Sequence, residues 1–565
     1  MEITFGEYFP YTPHPARLPD ALVGGRETQR HKVVVAGGGP CGLALALGLA
    51  NHGIPVTVLE ADATVCTGSR AGAFTRRTLE ILEQLGVIDA VLPTGLTWSV
   101  GRTYLGEREV FSFTMPDDAN QKYPPALSHL QNFIEQCMVE RAEAQPDLVD
   151  IRWQSEVSKV ENHADGARVE VQTPAGSYEL DTDWLVACDG GRSTVRQLLG
   201  LTMQGKRHEG RYLIIDIRID TSGLPAGRRC WFDPPSKPGG TLLLYKKPNG
   251  MLRFDYQLND EDDEDEACKP EVVFKQVDAH LKMLGIERPW EPVWMSLYRA
   301  SALTLETYRH GRVLFAGDAA HLVPIFGVRG MNSAVEDAHN LAWKLAYVIK
   351  GVAGEHLLDS YSEERVYAAR ENHRFASKSA EFMAPPSKPF RLMRDAVLSL
   401  AERHPQFSSL INPRQHAAIP LVHSPLNLHG AQDARFTGGP APGEILRECP
   451  LEVDGGTSHL TGLTGPHFAA LYFSEHGEMP APLARALEQA AARAPLATHN
   501  IARNITKNRP GSGTDVAYDH TGRLFPLYGA QPGTLYLVRP DGHVLARWAD
   551  AQADEVVPAL AAALS

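Results

Sequence analysis

No run of about 18 apolar residues occurs in the chain, so a membrane-crossing helix is not expected. The first residues, Met1 to about Arg30, carry charges, prolines and aromatics but lack the basic start and apolar run of a signal peptide. Residues 1–30 therefore read as an N-terminal extension. Basic residues are in the minority, with 55 Lys and Arg against 68 Asp and Glu and a formal charge of −13. That balance argues against a nucleic-acid partner, which needs basic patches for phosphates. It leaves an anionic small molecule open, because one or two buried arginines capture a carboxylate whatever the net charge. The seven cysteines (Cys41, Cys66, Cys137, Cys188, Cys230, Cys268 and Cys449) are scattered, odd in number and never spaced CxxC. A disulfide framework or zinc site is not expected, and a reducing cytoplasm is the expected location. No His/Asp/Glu cluster has metal-ligand spacing, so no metal is assigned. No GxSxG elbow supports a Ser-His-Asp hydrolase.

What is present starts at Lys32. Lys32–Ala36 is a short apolar β-type run, followed by Gly37-Gly38-Gly39-Pro40-Cys41-Gly42, which fits GxGxxG. A Leu- and Ala-rich helical segment runs to about Gly53, and Val56–Leu59 forms a second strand ending at Glu60-Ala61. Gly37 permits the tight strand-to-helix turn, Gly39 lets a pyrophosphate approach the backbone, and Gly42 lets helix and strand pack closely. Pro40 and Cys41 open the helix, whose N-terminus offers free N–H groups to phosphates. Glu60, roughly 20 residues on, accepts hydrogen bonds from a ribose diol. The unit predicts dinucleotide binding without separating FAD from NAD.

Two further motifs narrow the cofactor. In Trp184–Arg196 an apolar strand enters a turn at Asp189-Gly190-Gly191, with Ser193 and Arg196 beyond. In Arg312–His321 a strand ends at Gly317-Asp318, placing a carboxylate where a sugar-alcohol hydroxyl can meet it. Pro324 follows, as a candidate both for flavin contact and for the reaction site. Gly327-Val328-Arg329-Gly330-Met331-Asn332 then opens a long amphipathic helix, with Ser333 and Glu336 at capping-box spacing. Backbone N–H groups of that loop suit the electron-rich edge of a reduced flavin.

These three motifs, in this order, resemble the p-hydroxybenzoate hydroxylase family of FAD-dependent monooxygenases over roughly Lys32 to Gly351. Finer resemblance points to the branch with 3-(3-hydroxyphenyl)propionate hydroxylase and phenol hydroxylase: Arg70-Ala71-Gly72 with Arg77-Thr78-Leu79-Glu80 looks like its segment along the FAD, and Gln131 with Glu135 like its flavin-contacting helix. The resemblance implies noncovalent FAD, NADH or NADPH as cosubstrate without a separate nicotinamide-binding domain, and O₂ added at the flavin C4a carbon as a hydroperoxide. It further implies hydroxylation of a small aromatic substrate and a homodimer. Tailoring of a polyketide or inactivation of an antibiotic on the same fold are alternatives, as is a non-catalytic FAD redox sensor. One departure stands out. Phenol hydroxylase-like members carry an Asp where this chain has Gly72, and the acids that the propionate hydroxylases show near Thr75 and Arg76 are absent too. A substrate-activating base must come from elsewhere, or the substrate must not need one.

The expected fold is α/β. A Rossmann-like FAD-binding domain (31–205 and 300–351) carries an inserted β-sheet substrate domain (206–299). A helical segment and linker (352–430) and a thioredoxin-like domain without CxxC (431–565) follow. Within the substrate domain Asp216 interrupts an apolar strand, Tyr212–Arg218, and is a candidate base. Arg253, Tyr256 and Tyr298 occupy comparable strand contexts and are candidate substrate contacts. His321 reads as a polar side chain tying a turn together near the cofactor.

Overall fold

In the computed structural model, which describes residues 2–411, 415–504 and 516–565, the first motif folds as its pattern dictates. Strand Arg26–Ala36 runs into helix Pro40–Asn51 and returns as strand Val56–Leu59. Five parallel strands lie side by side in the order Val149–Arg152, Val56–Leu59, Arg26–Ala36, Gly176–Ala187 and Val313–Phe315. The fingerprint helix is buried from Cys41 to Ala50, which explains its Leu/Ala composition: it has no solvent face. The three motifs each end a strand of this sheet at its carboxyl edge, where ligands of open α/β sheets bind.

A second sheet covers that edge. Its order is Glu2–Thr4, Trp290–Thr304, Gln204–Ile219, Met251–Gln257, Thr241–Lys247, Arg228–Phe232, Val100–Leu105 and Arg108–Thr114. Two features go beyond the segment 206–299. Residues 100–114, from within the segment 31–205, extend the sheet at one end, and the N-terminal extension supplies the strand at the other. Period-two alternation gives the sheet two unlike faces. Leu213, Ile215 and Ile217 pack with Val273 and Val277 of helix Pro270–Met283 in a closed apolar layer. Tyr212, Ile214 and Asp216 point the other way. Register sets Asp216 opposite Arg253 on one neighbour and opposite Trp294 on the other.

Helix Gly330–Ile349 packs on the fingerprint helix, and helices His356–Met383 and Lys388–Arg403 follow. The C-terminal region carries a third sheet, ordered Gly456–His459, Pro450–Val453, Val516–Tyr518, Leu496–Ala502, Phe468–Ser474, Leu535–Val538 and Val544–Trp548. It docks through a buried ionic network: Arg539 donates to both carboxylate oxygens of Glu364 at 2.7 and 2.9 Å, and Lys344 donates to Glu364 at 2.7 Å. Asp541 accepts from Asn340 at 2.8 Å and from Trp343 at 3.1 Å. Among the described residues no helix is long and apolar enough to cross a membrane.

Candidate flavin and substrate site

A cavity of about 950 Å³ is lined by residues of the first sheet's carboxyl edge and of the second sheet's polar face. Gly37, Gly39, Pro40 and Cys41 line one end. Gly37 has φ = 101°, and a Cβ there would lie 2.5 Å from the Cys188 carbonyl oxygen. A Cβ on Gly42 would lie 1.9 Å from the Gly37 oxygen, so Gly42 does not line the cavity but lets helix and turn close up. At Gly39, by contrast, a Cβ would meet no protein atom within 4 Å. The helix that begins at Pro40 has no side-chain cap, which leaves its first N–H groups for a ligand. Glu60, with Ala61 beside it in the lining, accepts from Gly38 N at 2.5 Å and Asp62 N at 2.8 Å. Burial pushes its carboxyl up to about 7. Backbone donors, an uncapped helix N-terminus and a carboxylate on one wall form the donor set a dinucleotide requires.

The second and third motifs are bolted together. Asp189 and Gly190 line the cavity, and Asp189 accepts from Val195 N at 3.0 Å. Ser193 caps its helix by accepting from Arg196 N at 3.0 Å, and Arg196 donates to Ala319 O at 2.9 Å and Gly191 O at 2.7 Å. Asp318 lines the cavity, whereas Gly317 sits behind it, its N–H donating to Asp337 at 3.0 Å. Asp337 also bonds His321 at 2.6 Å and Arg365 at 2.6 Å. Burial alone would raise the Asp337 carboxyl, but these two partners hold it below the usual range. His321 therefore ties the turn from below.

Arg70, Ala71 and Gln131 line the cavity. Gln131 accepts from Ala71 N at 2.9 Å and donates to Glu135 at 2.9 Å, which fixes the segment that follows Arg70. Arg77, expected beside the cofactor, is not in the lining. It donates to Glu80 at 2.9 Å and to the Asp541 backbone oxygen at 2.7 Å, so it clamps the C-terminal region instead.

In the glycine-rich loop, Arg329, Gly330, Met331 and Asn332 line the cavity, and Gly327 does not. The left-handed backbone falls on Gly327 (φ = 88°) and on Val328 (φ = 55°), and not on Gly330. What Gly330 offers is room, because a Cβ there would meet nothing within 4 Å. Asn332 holds the loop: its carbonyl accepts from Thr75 N at 3.0 Å, and its amide donates to Ala73 O at 3.1 Å and Val328 O at 2.5 Å. The capping box does not form. The helix starts at Gly330, three residues before Ser333, which accepts from Asn372 at 2.7 Å while Glu336 pairs with His416 at 2.9 Å. Tertiary partners have taken both side chains.

Of the roof candidates, Arg253 and Tyr298 line the cavity, and Asp216, Tyr256 and Pro324 do not. Asp216 is wholly buried behind Arg253, which grips it at 2.6 and 2.7 Å, and the Tyr8 hydroxyl donates to it from the N-terminal extension. Burial would raise this carboxyl, but Arg253 and then Lys247 outweigh it and hold it below the usual range. It is a counter-ion to Arg253, placed to orient that side chain, not a base facing substrate. Arg253 also donates to the backbone oxygens of Ser69 and Arg70, the latter at 2.8 Å, tying the roof to the segment below. Tyr8→Phe is expected to lower unfolding stability by about 1.5–3 kcal/mol, the worth of a hydrogen bond to a charged group; urea denaturation of the FAD-loaded protein checks it. Tyr256 points to the opposite face, its ring 5.2 Å from that of His280. The Tyr298 hydroxyl accepts from Ile325 N at 3.1 Å, which pins the stretch containing Pro324 while its neighbours Val323 and Ile325 face the cavity.

Residues that sequence reasoning passed over complete the roof. Lys247 and Asp255 line the cavity and are 1% and 6% exposed. Among the described residues Lys247 Nζ and Asp255 Oδ1 have no hydrogen-bond partner. Lys246-Lys247 before Pro-Asn-Gly looks like a polar strand end. Strand alternation, which puts Lys247 on the same face as Tyr245, was the signal available.

A dinucleotide cradle under a polar, partly charged roof defines a flavoprotein that encloses a small organic ligand. Residues 30–376, more than half of the chain, match the family described as FAD binding domain. The chain belongs to that family and, within it, to the FAD-dependent aromatic hydroxylases. It is 28% identical over 542 residues to a 3-(3-hydroxy-phenyl)propionate/3-hydroxycinnamic acid hydroxylase of Mycolicibacterium gilvum (strain PYR-GCK), covering 94% of this chain and 91% of that one. Among solved structures, the flavin-dependent monooxygenase PieE with FAD and substrate superposes with a TM-score of 0.77 at 23% identity, covering 95% and 99% of the two chains. Aklavinone-11 hydroxylase with FAD and aklavinone superposes at 0.74 and 24% identity, covering 95% and 100%.

Proposed function

We propose that the chain is an FAD-dependent, NAD(P)H-consuming monooxygenase that hydroxylates a phenolic or related aromatic substrate. The observation that carries this reading is one cavity shared by the three cofactor motifs and the polar roof. FAD, held noncovalently, supplies the redox chemistry through which O₂ is activated with electrons from NADH or NADPH. The protein's residues then do three things. The glycine turn, Glu60 and Asp318 bind the cofactor's phosphates and hydroxyls. The loop Arg329–Asn332 presents backbone N–H groups and a helix N-terminus to the flavin, favouring negative charge there. Arg253, fixed by Asp216, and Tyr298 shape the substrate compartment and hold its walls closed against water. For the C-terminal region we propose a thioredoxin-like fold without redox chemistry. Its strand–helix–strand unit (468–502) followed by a hairpin and helix (535–564) supports that reading, and Cys449 is the only cysteine of residues 431–565. The reading is tested by following NADH and NADPH oxidation with and without a panel of phenols. Substrate-stimulated oxidation with a hydroxylated product is expected; no stimulation by any phenol would sink it.

A further inference from the structure

Two buried lysines of this protein, Lys344 and Lys247, are held differently. Lys344, equally buried, shows what a structural lysine looks like here: its ammonium sits 2.7 Å from Glu364 and 2.9 Å from the Ser360 hydroxyl. Lys247 Nζ has no hydrogen-bond partner among the described residues. The nearest carboxylates do not supply one. Asp216 is committed to Arg253 and Tyr8, and Asp255, across the sheet, forms no ion pair within 4 Å among the described residues. His129, close enough to feel the Lys247 charge, is driven toward its neutral form by burial and offers no counter-charge. An unpaired ammonium in such a place carries a steep desolvation cost, and burial, followed by the Arg253 charge, pushes Lys247 down to about 7.

Its position is as informative as its loneliness. A Cβ on Gly72 would lie 2.3 Å from Lys247 Nζ and 3.6 Å from the Arg253 guanidinium. The ammonium thus occupies the ground that any side chain at position 72 would claim, on the cavity wall. Arg253, Tyr245 and Asp255 surround it in the same lining. A lysine offers three donors and no acceptor, so its natural complement is an oxyanion.

We propose that Lys247 is the substrate anchor of this cavity, its ammonium at the wall beside Gly72 receiving an ionised oxygen of the aromatic ligand, phenolate or carboxylate. The proposal deepens the hydroxylase reading and relies on it only for the ligand's aromatic ring. Lys247 selects for acidic aromatics over neutral ones. With the phenolate arm it also stabilises the ionised, electron-rich form of the ring, the task for which no acid stands at position 72.

The test uses the FAD-loaded enzyme and two probes, 4-nitrophenol for the phenolate and 3-phenylpropionate for the carboxylate. Each is titrated through the flavin absorbance beside its uncharged counterpart, 4-nitroanisole or the methyl ester. The nitrophenol band also reports directly whether the bound probe is ionised. At least one acidic probe is expected to bind the wild type. Lys247→Met should weaken it tenfold or more, leave the uncharged counterpart within about threefold, and make bound nitrophenol harder to ionise if the phenolate is the group held. Gly72→Asp should produce the same selective loss with the lysine still present, because the new carboxylate takes the ammonium for itself. If Lys247→Met does not fold, Gly72→Asp carries the comparison. Equal affinities in variant and wild type, equal losses for charged and uncharged probes, or no binding of either acid to the wild type would overturn the assignment. Phenol-stimulated NAD(P)H oxidation separates the two readings: if it persists while Lys247 proves irrelevant, only the anchor fails. If it is absent while Lys247-dependent binding holds, only the hydroxylase reading fails.

Discussion

Arg539→Met is expected to lower the unfolding free energy by about 3–5 kcal/mol, the range for removing one partner of a buried ion pair. Arg539 is completely buried and is the only cation that contacts Glu364 and Asp541 together among the described residues. Methionine fills similar volume but leaves Asp541 with only His543 and Glu364 with only Lys344 as ionic neighbours. Burial would raise both carboxyls; Arg539 first, aided by Lys344 for Glu364 and by His543 for Asp541, holds them well below the usual range. A folded-state pKa below the unfolded value contributes stability that is present above the unfolded pKa, near 4, and is lost as pH falls through the folded value. The wild type should therefore owe part of its neutral-pH stability to this network, and the variant should lose that part and unfold at milder acid. Urea denaturation at pH 7 measures the first effect, and repeating it in steps down to pH 3 measures the second. Glu364→Gln combined with Arg539→Met should cost less than the sum of the single changes, since each removes the other's partner. Additive losses, or a loss below about 1 kcal/mol, would show that the network is not what holds the C-terminal region in place.

Gly42→Ala is expected to yield protein that does not retain FAD through purification. The added Cβ would sit 1.9 Å from the Gly37 carbonyl oxygen, a backbone atom that has no slack because Gly37 itself abuts the Cys188 carbonyl. The turn must open, and the N–H groups it aims at the cofactor move with it. Gly39→Ala provides the contrast. Its methyl group would meet no protein atom, so the folded chain should tolerate it at normal stability while FAD binding falls because the methyl enters the cofactor's space. Flavin content after gel filtration, together with thermal unfolding of the flavin-free proteins, checks both. Gly42→Ala should lose in both measurements and Gly39→Ala only in the first. Full flavin occupancy in Gly42→Ala would show that the fingerprint glycines do not shape the cradle.

What was legible in the sequence was what is local. Strand, glycine turn and helix are adjacent in the chain, so the roles of Gly37, Gly39 and Gly42 follow from covalent neighbours and from the space a Cβ needs. The Asp-Gly and Gly-Asp motifs were legible for the same reason. Asp216 was conspicuous as an acid in an apolar strand, but its meaning depends on Tyr8, 208 positions earlier, and on Arg253, 37 positions later. The Ser333/Glu336 pair was misread because a spacing rule describes an isolated helix, and here tertiary partners competed for the same side chains; Arg77, placed along the FAD by resemblance, bonds instead to Asp541, 464 positions away. Lys247 was invisible because a lysine near a strand end is ordinarily solvated. Only the sheet that buries it makes it chemically unusual.

The second sheet also bears on how the chain must fold. Its strands come from residues 2–4, 100–114, 204–257 and 290–304, and Tyr8 finds its carboxylate only when the strand bearing Asp216 is in place. Pairings of such sequence separation pay loop-closure entropy before they are rewarded, which slows folding and leaves strand edges bare meanwhile. During synthesis residues 2–4 must wait until residues 294–296 have emerged before they can pair with them. The roof is therefore complete, and the compartment beneath it closed, only when both ends of that long interval meet.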